Sequence, residues 1–191
     1  MKYIMREQKG TFGYIRKQTL FEAVKTVVLF AMALGIFMIG YKTLGTQKSL
    51  WSVFAILALL PASKSLVGLI MLLRFRSLPE SEYIKLSSVI GSIPAIYENI
   101  LTTSSKAYFV PVICCIACTV TVLIPDGKYE SAEIKKHIEK VLNNGGHKAV
   151  VKVFDNKEEF IARINQMNEN LSDDSGASSV RILNTLKAVS L

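Results

Sequence analysis

The sequence predicts a membrane α-helical hairpin followed by a small α/β domain. Three observations predict it: two long apolar blocks near the N-terminus, a basic charge excess confined to the half that contains them, and a second half in which strand-like and helical patterns alternate between turn signals. Half of the 191 residues are hydrophobic although 20% are charged, so the apolar excess is concentrated rather than spread. Residues 1–85 carry twelve basic and four acidic side chains, and residues 86–191 carry eleven of each. Basic residues beside a membrane segment suit anionic lipid and set topology. A nucleic-acid partner wants a basic face on the folded domain, and the charge-balanced half offers none, so nucleic acid is not expected.

The first block runs from Val27 to Tyr41 and extends back to about Phe21; the second runs from Leu50 to Leu73. Each reaches the roughly 20 residues that cross ~30 Å of hydrocarbon. Spans at about 21–41 and 50–73 leave a basic leader (1–19) before them, a short polar turn between them, and Arg74 and Arg76 behind them. Glu22 and Lys25 fall at the near interface, where long side chains snorkel. Tyr41 and Trp51 share the other end, as interfacial aromatics do. A cleaved signal peptide is disfavoured by the long charged leader and the second block. Lys and Arg cluster outside the two spans, which predicts a multi-pass cell-membrane protein with both termini and the C-terminal domain in the cytoplasm. Anionic lipid is the expected partner of the leader, Arg74 and Arg76. Small-xxx-small pairs (Ala31 and Gly35, Ala58 and Ala62) suit packing of the spans on each other or a homo-oligomer or protein partner.

Lys64 is the odd residue of the second block, in the segment Pro-Ala-Ser-Lys-Ser. A lysine at the bilayer centre costs about 2.5–3.5 kcal/mol on insertion scales. The plainer reading has Pro61 kinking the helix, Ser63 and Ser65 satisfying freed backbone groups, and the lysine snorkelling. The functional reading makes it an intramembrane polar site, facing a partner carboxylate or lining a polar path across the membrane.

The remainder, residues 78–171, reads as the α/β domain. Leu86, Val89, Ile90, Ile93, Tyr97, Ile100 and Leu101 recur at three- and four-residue spacing, which predicts a helix interrupted at Gly91 and Pro94. Residues 107–125 carry no charge and are long enough for a third span. Nine Val, Ile and Thr residues, a single leucine and Pro111 favour two buried strands instead, near 108–115 and 118–124. Ser131 opens a helix bearing Ile134, Ile138 and Leu142 that stops at Asn144-Gly145-Gly146. Lys148–Phe154 reads as a strand, and Asn156 caps a helix with Phe160, Ile161, Ile164 and Met167. The order helix, then β-β-α-β-α, implies a three-stranded sheet. Residues 172–191 read as a flexible linker and a short terminal helix.

Little here points to chemistry. Cys114, Cys115 and Cys118 lie in an apolar block where thiols behave as small hydrophobes, and neither His137 nor His147 has ligand spacing to them. No metal or cofactor is expected. The best enzymatic trace is Asp126-Gly127-Lys128 after a strand, with Glu98 before it. With the strand order this resembles restriction-endonuclease-like folds, in which carboxylates hold Mg²⁺ and a lysine stabilises developing charge. The strand at 108–115 has no acidic residue, so such a site would be degenerate, and an enzyme is disfavoured. Three segments, Gly13–Gln18 (GYIRKQ), Leu60–Val67 (LPASKSLV) and Ala107–Val110 (AYFV), resemble a family of small two-span membrane proteins from anaerobic Gram-positive bacteria. That resemblance implies the hairpin-plus-domain layout and supplies no activity. The function expected is therefore that of a membrane-anchored interaction or scaffolding module, with a subunit of a membrane transport or envelope complex as the alternative.

Overall fold

A computed structural model describes residues 9–44, 50–103, 106–169 and 176–190. The chain divides into two compact units, one of residues 15–76 and the other of residues 1–14 with 77–191.

The first unit consists of helices α1 (Tyr14–Leu44) and α2 (Leu50–Leu73). Both are long and apolar enough to cross a membrane. The turn expected around 42–49 lies largely outside the described residues, as does the side chain of Trp51. On α1, Thr26, Ala33 and Gly40 are buried at seven-residue spacing; on α2, Ala55, Ala62 and Ser65 are buried. These small residues mark the seam along which the two helices meet. Ala31 is exposed and Ala58 half-buried, so of the two expected small pairs only Ala58 and Ala62 borders the seam. Leu20, Val27, Leu34 and Leu60 are each more than 60% exposed. Large apolar side chains therefore surround the pair, with no polar face for water.

The second unit is a three-layer sandwich. Its sheet contains β1 (Ala95–Thr102), β2 (Ala107–Ile116), β3 (Thr119–Leu123) and β4 (Val150–Phe154), in that spatial order. The first two pairings are antiparallel and the last is parallel. A parallel pair needs a crossover, and α4 (Ser131–Asn144) supplies it. On one side of the sheet Ile134, Ile138 and Leu142 of α4 share a core with Ile182, Leu183 and Leu186 of α6 (Gly176–Val189). On the other, Leu86 and Ile90 of α3 (Glu80–Ile90) pack with Phe160, Ile164 and Met167 of α5 (Lys157–Glu169). Asn156 caps α5 through Oδ1, which accepts the Glu158 N–H at 2.8 Å.

Two expectations are corrected. The sheet has four strands, because residues 95–102 form β1 rather than helix. Helix α3 stops at Gly91, whose φ of 60° is left-handed, and the apolar residues beyond it pair with β2. Strand alternation is broken there. Val110 packs in the α4/α6 core while Val112 packs in the α3/α5 core, so the pleat inverts across Pro111. The register places Pro111 opposite Glu98, whose φ of 50° is left-handed for a non-glycine residue. An inversion in both strands at one level erases the period-two signature. The second correction is Cys118, which is exposed while Cys114 and Cys115 are buried. Ala117 and Cys118 both have positive φ, 44° and 64°, and form the two-residue primed turn that joins β2 to β3.

The N-terminal segment belongs to the sandwich. Gly10 accepts the Tyr97 N–H at 2.9 Å on the edge of β1, Lys9 Nζ donates to Ser190 O at 2.7 Å, and Phe12 stacks on Tyr83. The β1 edge is thus covered rather than left as an open pairing template.

Candidate functional site: a polar level inside the apolar hairpin

Glu22 is the sole acidic residue within 15–76, and a group of polar side chains gathers on it. Its Oε2 accepts from Ser65 Oγ of α2 at 3.0 Å and lies 2.6 Å from Lys25 Nζ. Thr26 Oγ1 donates to the Glu22 carbonyl at 2.7 Å and lies 2.9 Å from Ser65 Oγ. Thr26 and Ser65 are each 5% exposed. Every hydroxyl and carboxylate of the group has a partner among its neighbours. Interhelical hydrogen bonds of this type contribute about 0.6 kcal/mol each, and up to ~1.7. This cluster was not foreseen in the sequence, where Glu22 stood at the interface. The signal available was that Glu22 and Thr26 are one turn apart, on the face that a small-residue seam would bury.

Lys64 belongs to the same level and to the opposite surface. Its neighbours Ala62 and Ser65 turn into the seam, whereas Lys64 is exposed. Among the described residues no carboxylate lies within ion-pair distance of it. Helix α2 continues through Pro61. Ser63 Oγ donates to Leu59 O at 2.8 Å, as expected of a backbone-satisfying serine, but Ser65 is committed to Glu22 and Thr26. The charge of Glu22 is balanced by Lys25; that of Lys64 is not balanced among the described residues.

In the sandwich, Glu98 is 1% exposed and serves as an acceptor for the chain entering α3: Leu78 N–H donates to its Oε1 at 2.9 Å, and so does the Ser77 hydroxyl. Asp126 and Lys128 are exposed in the turn after β3, with Lys128 Nζ above the Tyr129 ring. No group of three or more His, Cys, Asp or Glu side chains that could hold a metal occurs among the described residues.

Cys114, Cys115 and Tyr108 in the sandwich report burial. Burial, followed by the neighbouring Cys115, pushes the Cys114 thiol far up. Burial raises Cys115 to about 11 against a lowering contact from Ser179. Burial and then the Glu133 carboxylate raise Tyr108 to about 12. A nucleophile needs the opposite shift or an adjacent base. Compared with family models, curated proteins and solved structures, the chain matches none.

Proposed function

We propose that this is a membrane-anchored interaction protein whose hairpin crosses the cell membrane and whose α/β sandwich is a binding or scaffolding module in the cytoplasm. The observation that carries the reading is the contrast between the units. The sandwich buries its apolar residues in two cores, while the hairpin exposes large apolar side chains all round. Lipid is the solvent that makes such a surface stable. The cytoplasmic side follows from the basic residues outside the spans, Arg16, Lys17, Arg74 and Arg76 among them. It draws further support from the packing of residues 9–14 on the sandwich, because both ends of the hairpin then lead into one folded body. Anionic lipid is the proposed partner of these basic flanks.

A second reading, a subunit of a larger membrane complex, is favoured by Lys64 alone. Isolation of the full chain in mild detergent, with native mass measurement, separates the two. Soluble partners retained through the sandwich support the first reading, and a stoichiometric membrane protein supports the second. A monodisperse chain whose sandwich is stabilised by a divalent metal would contradict both.

A further inference from the structure

We infer that Lys64 is the docking residue for a carboxylate carried by a transmembrane helix of a different membrane protein. The inference rests on the reading that the hairpin spans the bilayer and names the partner its surface fits.

Position comes first. Lys64 lies one residue from the middle of the apolar stretch Val53–Leu73. At 1.5 Å per residue it is ~14 Å from Leu73 and ~17 Å from Val53. Helical side chains lean toward the N-terminus of their helix, which directs Lys64 toward the farther end. Its four-carbon stem covers only part of that distance.

Direction comes next. Ala62 and Ser65 face the seam, whereas Lys64 lies in an exposed stripe with Leu57, Leu60 and Val67. Gly68 is one turn further, and a Cβ added there would meet nothing within 4 Å. A helix can therefore approach closely beside the ammonium group. An ionisable residue in a membrane segment is stable when paired, and the pair marks a functional contact.

Among the described residues none brings such a carboxylate to Lys64. Glu22, the sole acid in the hairpin, is engaged by Lys25 and Ser65. A two-fold dimer through this stripe would set Lys64 against Lys64. The complementary surface is an Asp or Glu on another protein's span.

The test uses the full chain in neutral phosphatidylcholine vesicles at pH 7.5, with a synthetic transmembrane Leu/Ala helix bearing one Asp at its midpoint as the probe. Energy transfer between the two reports association; helices with Asn or Leu in place of the Asp are the references. We expect the Asp helix to associate at least tenfold more tightly than the Leu helix. Lys64→Leu should abolish that preference and Lys64→Arg should keep it. Equal association of the Asp and Leu helices, a preference that survives Lys64→Leu, or Lys64-dependent self-association in place of probe binding would overturn the inference. Flotation of the same vesicles separates the two levels: a chain that floats without preferring the Asp helix sinks the docking role alone, and a chain that fails to float sinks the membrane reading with it.

Discussion

Side chains in this protein are sorted by what they can reach, and two sets make that measurable. Cys114 and Cys115 sit inside β2 with raised pKa values, while Cys118 lies in an exposed turn. A thiol reagent at pH 8 should label one cysteine promptly and the other two only on unfolding; mass spectrometry of the labelled peptides should assign the fast site to Cys118. Labelling of all three at one rate would contradict the buried placement. His137 on α4 is the second case. Burial, and then the nearby Lys140, hold its pKa below the ordinary value. The folded chain therefore binds that proton less readily than the unfolded chain. Its neutral form is favoured above about pH 6.5, and stability is lost as pH falls below that value. His137→Gln should shrink the drop in melting temperature between pH 7.5 and pH 5.5; an unchanged drop would exclude His137 as a contributor. At this scale the sequence was partly legible. Lys64 stood out because charge is rare in an apolar run. The Glu22, Thr26 and Ser65 cluster did not, because Ser65 is 43 residues away and only the helix pairing brings it close.

Elements were legible wherever one rule acted alone. The apolar lengths of α1 and α2, the stripe of α4, the cap of α5 and the β-branched content of β2 and β3 each follow from local chemistry. Strand β1 was hidden because the pleat inverts at Glu98 and Pro111, leaving Tyr97, Ile100 and Leu101 at a spacing that mimics a helix. The cost of a left-handed Glu98 is offset by the acceptor role of its carboxylate toward Leu78 and Ser77. Edge protection of β1 depends on backbone that only glycine adopts cheaply. Gly10 has φ of 84°, and a Cβ there would lie 2.7 Å from Lys187 Cε and 3.1 Å from Ile96 Cβ. The lysine can move aside; Ile96 is in the core and cannot. Gly10→Ala should destabilise the sandwich by about 1–3 kcal/mol, read as a lower denaturant midpoint with an unchanged slope. No change would mean that the leader does not dock on β1.

The whole molecule joins two bodies that dispose their apolar side chains in opposite ways. The sandwich closes two cores around a four-stranded sheet, and the hairpin turns its apolar side chains outward. The apolar blocks made that division legible in the sequence; the docking of the leader was not, since Lys9, Gly10 and Phe12 form no pattern until Tyr97, Ser190 and Tyr83 are beside them. That docking puts residues 9–14 and the sandwich in one body. Alkaline phosphatase fused in separate chains before Met1, after Leu44 and after Leu191 therefore tests the membrane reading most directly. We expect activity from the fusion after Leu44 alone, with both terminal fusions silent in the cytoplasm. Activity from one terminus and silence from the other would place leader and sandwich on opposite sides of the membrane and contradict the two-span hairpin.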